Sequence, residues 1–382
     1  MAGIYIHIPF CRSKCIYCNF YSIAVKNQNV LERYKNDFLN ALYKEIQLCK
    51  NYLDNENIKT IYFGGGTPSI LSAKEIESII INIKKYHQVN DDAEITLEAN
   101  PDTLSYEKLK AYKNIGINRL SIGIQSFNDK DLKYLHRIHD SKKAIQAIEN
   151  AKKADFKNFS IDLIYGIPTL NNKSWEYNLQ KTFDFQIPHI SAYSLTVEPQ
   201  TPLSHLIKSK KILSVDDAQS VKHFNILRKM MMQNNYQHYE ISNFCKKDFY
   251  SKHNTNYWLG EKYLGLGPSA HSYNKISRQW NLSNIKKYIE NINDKKPFSQ
   301  EEKLTLTQKY NEYILVSLRT MWGIDLNFIK NNFDEKFLRD IKLQIQKHLK
   351  DDYLKIENNH IFLTEKGKLF TDAITSDLFV VE

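Results

Sequence analysis

Six short apolar runs punctuate the first 200 residues: GIYIHIP, IKTIYFGGGTP, AEITLEANPD, INRLSIGIQSF, FSIDLIYGIP and HISAYSLTVEP. From the second onwards each follows a stretch with helical periodicity, so this part of the chain reads as six β-α units. Parallel strands cannot be joined by tight hairpins and need crossover helices. The rhythm therefore specifies an α/β fold, a parallel sheet with helices packed outside it. Six units suit a partial (β/α)6 barrel of TIM-like type better than the eight of a closed one. Such sheets place ligands at the C-terminal ends of their strands, and the unusual residues of this chain lie there.

After about residue 210 the rhythm ends. A helix through AQSVKHFNILRKMMMQNN, whose methionines read as packing, leads through YEISNF to the loop HNTNYWLGEKYLGLGPSAHSY. The charged, proline-containing NDKKPFSQEEKL reads as a linker. Helical stretches then precede YLKIENNHIFLTEKGKLF, where Asn358-Asn359 suits a hairpin turn. Helices followed by a hairpin suggest a small winged-helix-like module. The expected units are a barrel over 1–210, an extension over 211–292 carrying the HNTNYW loop, and the module over 301–382.

The net charge of +10 raises the question of a nucleic-acid partner. Residues 301–382, however, hold 12 basic and 14 acidic side chains, which leaves the winged module without a basic footprint for phosphates. The positive excess is spread over the remaining residues, where it would attract an anionic ligand such as a porphyrin with its carboxylates. No apolar run reaches the roughly 18 residues of a membrane span, and MAGIYIHIPF lacks the layout of a signal peptide. A cytoplasmic protein without an integral membrane segment is expected.

Three of the five cysteines, Cys11, Cys15 and Cys18, crowd into HIPFCRSKCIYCNFYS, just after the first apolar run. Such a set is a poor disulfide framework and reads as a metal site in a reducing compartment, with Cys49 and Cys245 as buried, inert thiols. Structural zinc takes four ligands. His7 would have to complete that set, yet as a strand residue beside Pro9 it reads as a packing or hydrogen-bonding group. A zinc-stabilised nucleic-acid-binding protein is one reading. A 4Fe-4S cluster on three thiolates leaves one iron open to an outside ligand, which accounts for the triple directly.

The C-x-x-x-C-x-x-C loop after a first strand resembles the signature of the radical SAM superfamily. That resemblance implies S-adenosylmethionine on the open iron, an electron donor for the cluster, and Tyr17 as an apolar cover for it. By matching motifs it further implies that Tyr5, Gly65, Gly66, Thr67, Glu98, Gln125, Arg137 and Asp162 contact S-adenosylmethionine. The residue types suit the task. Glycines admit close backbone approach, carboxylates accept from an ammonium or ribose, and Arg137 can pair with a carboxylate.

The words YIHIPFC, FGGGTPS, EANP, GIQSF, DLIYGIP and GLGPSAHSY together resemble the branch that contains the oxygen-independent coproporphyrinogen III oxidases and the haem chaperones. Two features divide that branch. The oxidases carry a further cysteine where this chain has Phe20, and His253-Asn254-Thr255-Asn256-Tyr257-Trp258 matches the H-N-x-x-Y-W motif of the chaperones. The resemblance implies haem as cargo, handed to acceptor haemoproteins of unknown identity, no assigned catalytic residue, and a homodimer as one form of assembly. Oxidative decarboxylation of coproporphyrinogen III is the enzymatic alternative. Within the motif His253 is the expected haem ligand, with Tyr257 and Trp258 against the porphyrin face.

Overall fold

The computed structural model describes residues 2–25 and 28–381. Strands β1 (Ala2–Ile8), β2 (Ile58–Gly65), β3 (Val89–Ala99), β4 (Arg119–Gln125), β5 (Asn158–Tyr165) and β6 (His189–Ser194) pair in parallel, in sequence order. The crossovers include helices Gln28–Leu48, Ala73–Tyr86, Tyr106–Asn114, Ser141–Lys153 and Asn172–Asp184. Local chemistry sets their starts. Ser72 and Glu75 form a reciprocal capping box, and Ser105, Asp140 and Asn171 each accept from a first-turn amide.

Strand alternation divides the side chains. Ile4, Ile6 and Ile8 of β1, with Ile61 and Phe63 of β2, are fully buried in the core shared with the helices. Gly3, Tyr5, His7, Thr60 and Tyr62 take the opposite face, the barrel interior. The six expected β-α units are thus present, and they form half of a larger sheet.

The extension completes it on both edges. A hairpin of β7 (Gln237–Glu240) and β8 (Asn243–Cys245) adds antiparallel to β6. On the other edge β9 (Lys262–Leu266) runs parallel to β1, followed by antiparallel β10 (His271–Tyr273), β11 (Ser277–Asn281) and β12 (Ser299–Lys303). The sheet order is β12-β11-β10-β9-β1-β2-β3-β4-β5-β6-β8-β7. Two sequence expectations change here. The HNTNYW segment is a helix, Lys252–Trp258, whose first turn is capped by Ser251, and the expected loop after it supplies β9. The expected linker likewise contributes the edge strand β12, because its alternating polar residues pair with β11 without needing a buried face.

One hydrophobic core runs through the barrel and includes Leu264, Leu266, Ile285 and Tyr288 of the extension, while a second core fills the C-terminal module. That module combines helices with a three-stranded sheet. Its hairpin turns at Asn358 and Asn359, whose φ angles of 49° and 61° match the turn expected there.

A buried carboxylate ties the first crossover helix to the extension. Glu45 accepts from the Gly267 amide at 2.7 Å, from Asn281 Nδ2 at 2.5 Å and from the Tyr288 hydroxyl. Burial raises its carboxyl to about 7 despite these three donors. Glu45→Leu is expected to strand the Gly267 amide and Tyr288 hydroxyl, at about 1–3 kcal/mol for each buried group left unpaired. Denaturant unfolding of the variant should show a lower midpoint; an unchanged midpoint would remove this tie from the stability of the fold.

Candidate cluster and cofactor site

The loop bearing the cysteines leaves the C-terminal end of β1 and is stitched to the end of β2. Gly66 donates to Ile8 O at 2.8 Å, Thr67 donates to Phe10 O at 2.8 Å, and Ile23 and Val25 return to Pro9 O and Cys11 O. These bonds explain the glycines. Gly65 adopts φ +104°, and a Cβ there would meet the His7 ring at 2.7 Å. At Gly66 a Cβ would lie 2.6 Å from Phe10 O. The glycines therefore admit the cysteine loop itself. Because Gly65 N also donates to Glu98 Oε2 at 3.2 Å, the amides of this segment are spent within the protein and any grip on a ligand falls to its carbonyls.

A continuous set of contacts joins two of the cysteines. Thr67 Oγ1 lies 3.5 Å from Cys11 Sγ and accepts from Asn100 Nδ2 at 3.1 Å. Asn100 Oδ1 in turn accepts from Arg137 Nη2 at 2.7 Å, and Arg137 Nη1 lies 3.3 Å from Cys15 Sγ. Gly123 O, just before Gln125 on β4, also accepts from Arg137, at 2.9 Å. Burial raises the thiols of Cys11 and Cys18, while the Arg137 charge opposes the rise at Cys11. Tyr17, between the second and third cysteines, is raised by burial and lowered by the same guanidinium.

Asn100 is the residue that sequence reasoning missed. It follows Glu98 in EANP, one step beyond the end of β3, and its position just past a strand end was the available signal.

Glu98 and Asp162 occupy a second level of the interior. Glu98 accepts from the Tyr62 hydroxyl at 2.8 Å, and Asp162 accepts from Ser121 Oγ at 3.2 Å. Burial lifts Glu98 to about 7 and Asp162 to about 6, with their mutual repulsion adding to the rise at Glu98. Tyr5 lies alongside, its ring stacked 6.1 Å from Tyr62 and its hydroxyl 3.2 Å from His7 Nδ1. His7 is neutral, lowered to about 4 by burial, and its Nε2 bonds Tyr21 O.

His253 lies elsewhere, at the N-terminal end of the barrel strands. Its ring is 1% exposed, with Nδ1 2.8 Å from Thr60 Oγ1 and Nε2 2.8 Å from the Tyr257 hydroxyl. It stacks on Tyr62 at 5.0 Å, and its own amide donates to Glu94 Oε1 at 3.1 Å. With both nitrogens engaged and the ring enclosed, this arrangement does not meet the expectation of direct haem ligation by His253. The same motif does present Tyr257 and Trp258 to a large cavity, which Tyr5, His7 and Phe20 also line.

The cysteine site fits the cluster and S-adenosylmethionine on its own chemistry. Among the described residues all three thiols are free of disulfides, and Arg137 Nε beside them is a buried donor with no hydrogen-bond partner. Among the described residues no three His, Cys, Asp or Glu side chains converge as ligands for a single metal ion. A four-iron cubane asks for less convergence, since each thiolate holds a separate iron.

Two outcomes test this geometry. His253→Ala leaves Thr60 and Tyr257 without their shared partner and should lower stability by about 1–3 kcal/mol per unpaired group, read as a shifted denaturation midpoint. The second concerns Glu98. Its raised carboxyl keeps a proton in the folded state that the unfolded chain releases, so its contribution to stability falls as pH rises from about 4.5 to 7. The difference in unfolding free energy between wild type and Glu98→Gln should therefore shift against the wild type across that window. A constant difference would mean that Glu98 ionises normally.

Comparison with known proteins agrees with this architecture. The Radical SAM superfamily matches residues 5–181, and the HemN C-terminal domain matches residues 304–370. Proteins named "Heme chaperone HemW" are similar throughout. The one from Bacillus subtilis is 34% identical, covering 98% of both chains, and that of Buchnera aphidicola subsp. Schizaphis graminum is 36% identical, covering 97% of this chain and 96% of its own. The Escherichia coli protein of that name is 30% identical over 100% of this chain and 98% of its own. Among solved structures, coproporphyrinogen III oxidase (HemN) from Escherichia coli shares the fold with a TM-score of 0.85, at 23% identity, over 99% of this chain and 90% of its own. With a cysteine loop held on β1 and β2 and near full-length kinship of this order, the chain belongs to the haem chaperone HemW family of the radical SAM superfamily.

Proposed function

We propose that this protein binds haem and delivers it to acceptor haemoproteins in the cytoplasm, and that Cys11, Cys15 and Cys18 hold a 4Fe-4S cluster. The observation that carries the reading is the similarity to haem chaperones along nearly the whole chain. Phe20 supports it. This side chain is 69% exposed at the rim of the large cavity, where it offers an apolar surface in place of the further cysteine that the resemblance associates with the oxidases.

S-adenosylmethionine would be held by Arg137, Glu98, Asp162, Gln125, Thr67 and the carbonyls of Gly65 and Gly66, with Tyr5 alongside it and Tyr17 covering the cluster. When bound, cluster and S-adenosylmethionine supply one-electron chemistry. The protein's own contribution is electrostatic. Arg137 sets its guanidinium 3.3 Å from Cys15 Sγ and keeps one buried donor for an anion, while Glu98 and Asp162 suit a cationic ligand whose charge would draw off their protons. His253 serves as a positioning residue in this reading, since it holds the helix that carries Tyr257 and Trp258 against the barrel floor.

Anaerobic reconstitution should yield about four irons and four sulfides per chain, and Cys11→Ala, Cys15→Ala or Cys18→Ala should each abolish the cluster with circular dichroism unchanged. Stoichiometric zinc with no iron retained would overturn the cluster assignment. Haem transfer to an apo-haemoprotein and turnover of coproporphyrinogen III, measured on one reconstituted sample, test the function. Transfer without turnover is the expected result. Robust turnover would replace the chaperone reading with the oxidase one.

A further inference from the structure

Between the antiparallel strands β9–β12 and the C-terminal module lies a cavity of about 1010 Å³. This is the upper end of the roughly 300–1,000 Å³ typical of ligand pockets. One wall is a single face of the antiparallel strands. His271 pairs across to Trp280 and Tyr273 to Arg278, so cross-strand register brings these side chains onto one surface, of which His271, Tyr273 and Arg278 line the cavity. The other wall belongs to the module, where aromatic Tyr313, Phe328 and Phe333 stand among polar residues such as Lys309 and Glu312. A flat aromatic macrocycle would find aromatic side chains on both sides.

Four histidines are candidates for coordinating a metal at the centre of such a ligand. His7 has both nitrogens engaged, by the Tyr5 hydroxyl and by Tyr21 O. His253 is enclosed, as described above. His360 bonds Asn358 O through Nδ1 and lies 4.0 Å from Asp325 through Nε2. His271 is different. It lines the cavity and is exposed, stacks loosely on Trp280 at 6.4 Å, and has neither nitrogen in a hydrogen bond or ion pair with the described residues. Loss of hydration within the cavity and the nearby Arg278 lower its basicity, which favours the neutral imidazole that binds metal.

The cations of the cavity can be sorted the same way. Arg278 is already paired with Glu312 and with the Tyr263 hydroxyl, and Lys275 lies 3.6 Å from Glu261. Lys309 lines the cavity with no ion-pair partner among the described residues. A dianionic ligand would find its unspent positive charge there.

We infer that His271 is the axial ligand to the iron of haem bound in this cavity and that Lys309 pairs with a haem propionate. This inference rests on the haem-binding reading above. Haem is seated on the extension, with the module closing over it, while His253 supports the floor from behind.

The test compares two probes on the full-length, cluster-reconstituted protein: hemin, and metal-free protoporphyrin IX, which has the propionates and no iron. His271→Ala should weaken hemin binding by at least about tenfold, the lower end of the loss seen when even a partner of a metal ligand is removed. It should also alter the Soret band, leave protoporphyrin IX binding unchanged, and recover hemin when imidazole is added. Lys309→Ala should weaken both probes and leave the Soret position as in wild type. A wild type that binds neither probe would defeat the haem-binding reading itself. If wild type binds hemin and His271→Ala binds it equally with an unaltered Soret band, the ligand assignment fails while the reading stands. Loss of both probes in His271→Ala would likewise overturn it, by showing a packing role. Unchanged protoporphyrin IX binding in Lys309→Ala would overturn the propionate assignment.

Discussion

An incomplete barrel turns every second side chain of its strands inward, and in this protein many of those side chains are polar. Glu94, Arg119 and Thr60 are buried, Glu98 and Asp162 are partly so, and His253 of the Lys252–Trp258 helix is buried against Thr60. Burial of that kind is tolerable only where each group finds a partner or gives up its charge. Most of the interior meets the condition, in levels, although Arg119 Nε has no hydrogen bond among the described residues. At the N-terminal end of the strands Glu94 accepts the first amides of the Lys252–Trp258 helix and stands 3.9 Å from Arg119, while Thr60 and Tyr257 enclose His253. Further up, Glu98 and Asp162 lean on the second course, since burial lifts them to about 7 and about 6 and they keep their protons to higher pH than a carboxylate in water.

The same economy governs the cysteine loop. A loop with three thiols has little structure of its own, and here it borrows rigidity from the strand ends through the amides of Gly66 and Thr67 and through the contacts that link Cys11, Thr67, Asn100, Arg137 and Cys15. Loss of any one member would leave its neighbours unpaired at a buried site, so the set behaves as a unit. This explains why the GGGTP segment looks like a ligand-binding turn in sequence and acts, in large part, as the bed of the cysteine loop.

The extension and the C-terminal module supply what the barrel lacks. Strand β9 extends the sheet beyond β1 in parallel, and the antiparallel strands after it form an aromatic face that the barrel helices do not cover. The module has its own core and brings a second aromatic face opposite. Neither wall would make an enclosed site alone.

Much of this was legible in the chain itself. Six strands in order, the hairpin at Asn358-Asn359 and the cysteine triple follow from local periodicity, turn chemistry and ligand spacing, all properties of short segments. Tertiary structure decided the rest, because it depends on pairing between distant residues. The HNTNYW segment lacks a long helical period, and it became a helix because Ser251 caps it and Glu94, some 160 residues earlier, accepts its first amides. NDKKPFSQEEKL has a linker's composition, and only the free edge of β11 made part of it a strand. A histidine's chemistry is set by what surrounds the ring. The sequence marked His253 for haem by its motif, and the fold spent both of its nitrogens on Thr60 and Tyr257. His271, inside the GLGPSAHSY word that carried the resemblance but given no role by it, keeps a free imidazole because strand register turned it toward an open cavity and placed no hydrogen-bond partner among the described residues within reach.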